Sequence, residues 1–143
     1  MINVALTDLI LARIQTQIPS LQSVGIAANL AAIKKTTIKF PAVFVVPLNH
    51  RGSGNRYMTG AVAQKREVRV QIVMAVRNIS GAQGGKAITD IEQLTALVDS
   101  ALFGFCPSQQ HDPLMLESGQ VVEMINGECW WTDTYVTAFE RRT

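Results

Sequence analysis

Lys65-Arg66-Glu67-Val68-Arg69-Val70-Gln71-Ile72-Val73-Met74-Ala75-Val76-Arg77 alternates apolar and polar side chains with a period of two. Val68, Val70, Ile72, Met74 and Val76 share one face, and the other face is polar toward both ends. That pattern predicts a β-strand well beyond the usual ~5–6 residues, half buried against a core. Val73 and Ala75 add apolar groups to the middle of the second face.

Downstream, Ser80-Gly81-Ala82-Gln83-Gly84-Gly85 reads as a flexible linker. It leads to the clearest helix of the chain, with Ile88, Ile91, Leu94, Val98, Ala101 and Leu102 on one stripe and Gly104 as the stop. The C-terminal third predicts a hairpin. Met115 to Ile125 pairs with Cys129 to Arg141 across Asn126-Gly127, because a two-residue type I′ turn needs positive φ at both positions. Trp131, Tyr135 and Phe139 lie on one side of its last strand, with Trp130, Val136 and Ala138 on the other.

Upstream, Pro41 introduces Ala42 to Leu48, a β-branched and aromatic run that predicts a buried strand. Asn3 is placed to cap a helix running to about Gln17, with Leu6, Leu9, Ile10 and Ile14 in a stripe and Pro19 ending it. Ser23 to Ala27 reads as a short extended piece, and Asn29 opens a brief Ala-rich helix to about Lys35. Residues 49–64 follow neither period. With three glycines, they predict a long flexible loop, beyond the ~12–15 residues normal within a compact domain. The expected fold is a single α+β domain over residues 1–143: a mostly antiparallel four-stranded sheet with two long helices packed on one face.

Charge is sorted along the chain. From Lys34 to Lys86 there are ten basic residues and one acid, Glu67. From Ala87 to Glu140 there are nine acids and no Lys or Arg, although the net charge is only +2. Two consequences are open at this point. The blocks can form opposed patches suited to docking on a charged partner, including another copy. Folding can instead interleave them as surface pairs, each contributing ~0–1 kcal/mol.

Composition narrows the function classes. At 143 residues the chain can bury ~68–70% of its unfolded surface without a disulfide or metal. Cys106 and Cys129 lack metal or redox spacing and read as buried small hydrophobes in a reducing compartment. Apolar residues make up 48% and charged residues 17%, a balance that favours burial of surface in an assembly. Met1 to Gln17 has no targeting pattern, and Pro41 to Leu48, the longest apolar run, is far below membrane-spanning length. The expectation is a soluble protein made in a cytoplasm.

Few residues offer chemistry. Gly52-Ser53-Gly54-Asn55-Arg56-Tyr57 has Tyr where a dinucleotide fingerprint needs its third glycine. Gly84-Gly85-Lys86 lacks the first glycine of a phosphate loop and has Ala87 in place of the magnesium-binding hydroxyl. His111-Asp112 is a lone pair with no second pair to complete a metal site, and Cys106 has no supporting base. The chain reads as a non-enzyme with no catalytic, cofactor or metal residues. Arg51, Arg56, Lys65, Arg66 and Arg69 could meet phosphates, with Tyr57 for stacking, but the acidic block opposes a duplex lying across the molecule. Passage of DNA through the lumen of a ring is compatible with this balance.

Several stretches carry a family resemblance in the right order. They are the helix ending at Gln17-Ile18-Pro19, Pro41-Ala42-Val43-Phe44-Val45-Val46-Pro47-Leu48 and the long strand after the loop. The Ile91 to Leu102 helix running into Phe103-Gly104-Phe105-Cys106-Pro107 and Trp130-Trp131-Thr132-Asp133-Thr134-Tyr135-Val136-Thr137 complete it. Across most of its length the sequence resembles the tail terminator, or tail-completion, proteins of long-tailed bacteriophages. The resemblance implies a small α+β subunit that forms a ring, hexameric in the family, capping the tail tube. Such a ring ends tube polymerisation and presents a surface to the head–tail connector. It also implies a virion protein assembled in the host cytoplasm, with no catalytic residues and a protruding loop matched by residues 49–64. A neck or head–tail joining component, or a small cytoplasmic ligand-binding domain or enzyme, is the alternative.

A closed ring needs heterologous contacts, which a basic and an acidic face would provide. The expected interface residues are Arg51, Arg56, Tyr57, Lys65, Arg66 and Arg69 on one side. Glu123 or Asp133 supplies the other, with no choice between them from sequence.

Overall fold

The computed structural model describes residues 5–80 and 84–143. Helix α1 (Leu6–Gln17) opens from Ala5, which makes no side-chain cap. The capping role expected of Asn3 lies outside the described residues, as do Gly81 to Gln83 of the linker. Ile18 leaves the helical region at φ −129°, as a residue before proline must, and the helix stops there.

The sheet has five strands in the order β1-β2-β3-β5-β4: β1 (Ser23–Ile26), β2 (Ala42–Gly52), β3 (Ala63–Arg77), β4 (Met115–Ile125) and β5 (Glu128–Arg142). Helices α2 (Leu30–Lys34) and α3 (Gly85–Leu102) complete the described elements. The expected four-stranded sheet therefore needs correction to five strands, and beside the two long helices α1 and α3 stands the short α2 that Asn29 opens. The Ser23–Ile26 segment, read from sequence as a short extended piece and not counted in the sheet, pairs parallel to β2 from Ser23↔Ala42 to Ile26↔Val45. Parallel neighbours need a crossover, and residues 27–41 with α2 supply it. Asn29 caps α2 by accepting the Ala32 amide at 2.8 Å. All other pairings are antiparallel.

Residues 49–64 are also less irregular than their sequence suggests. β2 runs on to Gly52 and β3 begins at Ala63, leaving residues 53–62 as the connection. Pro47 and Asn49 flank a bulge in β2, the kind of edge position that tolerates proline.

Two cores fill the two faces. On one, α1 and α3 cover Val43, Val45, Val70, Ile72, Met74, Cys129 and Tyr135. The helical stripe of α3 is Ala87, Ile91, Leu94, Val98, Ala101 and Leu102; Ile88, expected inside, is exposed because it lies one step round the helix from Ala87. On the other face α2 and Phe40 cover a smaller cluster of Ile33, Ala42, Val46, Val73, Ala75 and Trp130. Phe40 meets the Trp130 ring edge-on at 6.3 Å. This second core explains why Val73, Ala75 and Trp130 interrupt an otherwise polar face.

Candidate functional site

Beyond the point where β1 ends, β2, β3 and the end of β5 project as a three-stranded arm, and basic side chains gather there. Register brings Gly52 opposite Arg66, Arg51 opposite Glu67, Gln64 opposite Arg141 and Ala63 opposite Arg142. Arg51, Arg56, Tyr57, Lys65 and Arg66 from the expected interface therefore occupy one end of the molecule. Arg141 and Arg142 join them, a pair that only the β3–β5 register could assign. Tyr57 is half exposed, and neighbouring Met58 is fully exposed.

Within this arm the two charge blocks meet inside one chain. Arg56 Nη1 donates to Glu140 Oε2 at 2.6 Å, and Arg142 also donates to Glu140. These two guanidinium partners hold the Glu140 carboxyl below its usual range. Lys65 Nζ lies 3.6 Å from Asp112, and Arg66 Nε donates to Gln64 at 2.8 Å. Arg69 Nε donates to both Glu117 oxygens at 2.9–3.0 Å, and its Nη2 donates to Glu67 at 3.1 Å. On the same face, toward the other end of the sheet, Lys34 pairs with Glu123 and also lies over the Trp130 ring. Interleaving thus accounts for much of the charge sorting. Each exposed pair contributes ~0–1 kcal/mol.

Asp133 is not on the surface. It is 5% exposed, beside β4, and accepts the Trp131 indole N–H at 2.8 Å. Gly119 of β4 makes room for it, since a Cβ there would lie 2.0 Å from Asp133 Oδ1. Burial pushes the Asp133 carboxyl above its usual range, the Trp131 bond opposes this, and Asp99 adds to the rise. Tyr135 is wholly buried and donates to Asp99 Oδ1 at 2.8 Å. Asp133 is thus an internal group of β5, packed against Gly119 of β4. Its charge is unavailable for an intermolecular pair.

The remaining candidates for chemistry are dispersed. His111 Nδ1 lies 2.7 Å from Ser108 Oγ and the ring packs edge-on against Phe139, and burial lowers its pKa. Cys106 is exposed, contrary to the expectation of burial, while Cys129 lies in the core. Among the described residues no three His, Cys, Asp or Glu side chains converge as for a metal ion, and no helix is long and apolar enough to cross a membrane.

What the molecule displays is surface: a basic arm with exposed apolar residues, and a sheet whose terminal strands β1 and β4 each pair on one side only among the described residues. That is the class of small α+β structural subunits. The chain matches the family model described as phage tail terminator protein over residues 1–143, and it belongs to that family. It is accordingly a structural component of the phage tail, within the virion. A solved structure of the virion of a native gene transfer agent particle contains a chain similar to this one, with a TM-score of 0.52 and 12% sequence identity. The match covers 92% of this chain and 84% of that one, and at such identity it speaks for the fold alone. No curated protein matches this chain.

Proposed function

We propose that copies of this chain close into a ring, six on the family's pattern, which seats on the end of the growing tail tube. The ring stops further tube polymerisation and offers its outer face to the head–tail connector. The observation that carries this reading is the match of the tail terminator family over the whole chain. The open sheet edges and exposed apolar residues agree with a subunit completed by neighbours. The arm bearing residues 53–62, with Arg51, Arg56, Lys65 and Arg66 around it, is a contact surface for tube, connector or neighbouring subunit in this reading. DNA passes through the ring without being read.

The test is tail length. Tube protein polymerised with this chain should give tubes of arrested length carrying a cap at one end, and tubes without it should grow on. Unchanged length distributions would overturn the terminator role. Tubes of normal length that fail to join heads when the chain is omitted would assign it to head–tail joining instead.

A further inference from the structure

The positive charge of the protein is concentrated on its arm. Arg51, Arg56, Lys65, Arg66, Arg141 and Arg142 stand there against two carboxylates, Asp112 and Glu140. The rest of the chain has seven Lys or Arg and nine Asp or Glu. A molecule of net charge +2 therefore carries a surplus of four positive charges on the arm and of two negative charges elsewhere. Counting the Arg69, Glu67 and Glu117 cluster at the base of the arm still leaves a surplus of three. Internal pairing does not remove it. Arg56 and Arg142 share the single carboxylate of Glu140, and Lys65 takes Asp112. Arg51 and Arg141 are exposed and form no ion pair among the described residues, where the Arg66 side chain hydrogen-bonds only to Gln64.

Strand alternation spreads these cations over both faces of the arm. Arg51, Lys65 and Arg142 share one face, where Arg56 also reaches Glu140; Arg66 and Arg141 lie on the other beside Gln64. A small anion needs a pocket that gathers its donors, and an acidic protein surface meets one face. Cations on both faces of a projecting ribbon suit a polyanion with charge on two sides of a groove. The major groove of B-form DNA is ~12 Å wide, walled by phosphates, and admits a β-ribbon. The acidic block stands clear of the arm. Glu123 registers near Trp130 and Glu128 opens β5, which puts both roughly 35–45 Å along the sheet from Arg141 at ~3.3 Å per residue. Asp99 reaches β5 at Tyr135, roughly 20 Å from Arg141 on the same rise. Both separations exceed the Debye length of ~8–10 Å, so repulsion from these acids is screened.

We infer that the arm binds duplex DNA through its phosphates, without reading the sequence. Arg51, Arg66 and Arg141, which have no carboxylate of their own, make the contacts, and Arg56 and Arg142 supply the excess left by Glu140. Each contact releases condensed counterions from the duplex, which is the source of the affinity. This binding needs no ring, because one chain carries all of its cations.

The test is fluorescence anisotropy of a labelled, mixed-sequence DNA duplex of about 25 base pairs, titrated with the intact chain at about 50 and 200 mM salt. Three to four phosphate contacts give a salt slope of about −2.7 to −3.6, so affinity should fall roughly 40- to 150-fold between the two conditions. A chain carrying Arg51→Glu and Arg141→Glu, both exposed, should lose at least about tenfold in affinity at the lower salt, with its melting curve reporting that it folds. Lys35→Glu with Lys39→Glu makes the same change in net charge near α2, at the far end of the sheet, and should bind within about twofold of wild type. No binding at the lower salt, a slope near zero, or equal losses in the two variants would overturn the inference. Tighter binding of polyglutamate than of the duplex would also overturn it and give the arm an acidic protein as partner. So would tighter binding of double-stranded RNA, whose narrow major groove shuts out side chains. The tube-length assay reads none of these contacts, so DNA binding and tail termination fail separately.

Discussion

The Tyr135 hydroxyl, wholly buried in β5, donates to the Asp99 carboxylate of α3 at 2.8 Å and so bolts the central helix to the sheet. Burial and the neighbouring carboxylates Asp99 and Asp133 push the phenol pKa far up, which keeps it a donor at every pH the fold survives. Tyr135→Phe keeps the ring and removes one bond to a partly buried acceptor. The expected loss is about 1–2 kcal/mol, or roughly 3–8 °C in Tm by calorimetry. An unchanged Tm would show that the bond adds nothing to stability.

Asp133 should set part of the pH dependence. Its folded pKa lies above the unfolded value, so the native state binds the extra proton. The associated stability is present below about 3.8, the ordinary carboxylate value, and is lost as pH rises through the folded pKa. Asp133→Asn keeps an acceptor for the Trp131 N–H and removes the buried charge. The variant should match or exceed wild type in urea melts at pH 7 and lose that advantage near pH 3. A variant that is less stable at pH 7 than at pH 3, relative to wild type, contradicts this sign.

The turn between β4 and β5 needs Asn126 and Gly127 at φ 50° and 78°. A Cβ at Gly127 would lie 2.7 Å from Ile79 Cγ2 and 3.1 Å from its Cα. Gly127→Val therefore combines a strained backbone with a collision. A loss of at least about 1–3 kcal/mol is expected, with poorer solubility from a loosened edge hairpin. Equal melting curves for the two proteins would rule this out.

Amide exchange should be fastest at Gly54 and at Met58 to Gly60, within the connection at the tip of the arm. Arg56 and Ser53 should exchange more slowly, since their amides bond to the Ala63 and Lys65 carbonyls at 2.9 Å. The slowest amides should lie in β3 from Val68 to Val76, which has partners on both sides. Protection throughout Gly52 to Gly60 in a monomer would mean that the tip is a packed element.

Arg69 and Arg66 should respond differently to charge reversal. Arg69→Glu places a third carboxylate beside Glu67 and Glu117, so Tm of the monomer should fall, and fall further at low salt. Among the described residues the Arg66 side chain hydrogen-bonds only to Gln64 and forms no ion pair, and Arg66→Glu should melt as wild type. Equal effects of the two would mean that the Arg69 cluster is not formed in solution.

Much of the fold was legible because it rests on local periodicity. The alternation from Val68 to Val76, the stripe from Ile91 to Leu102 and the Asn126-Gly127 turn each report a backbone state through a few neighbouring residues. The place of β1 in the sheet escaped because an extended piece of four residues carries too little alternation to show a partner. The extension of β2 to Gly52 escaped because Pro47 and the polar run after it resemble loop composition, and only β3 holds them in the sheet. Family membership and the two charge blocks were likewise readable along the chain.

Sequence could not say which of those charges meet. Glu123 and Asp133 looked alike as surface acids, yet one pairs with Lys34 in the open and the other is buried under Trp131 beside Gly119. Charge and apolar period are properties of the chain, set by which side chains occur and how often. Burial, pairing and the edge a strand occupies depend on strand order, which brings residues 89 positions apart together at Lys34 and Glu123. That order, β1-β2-β3-β5-β4, turned a sorting along the sequence into pairs between the two blocks within one chain.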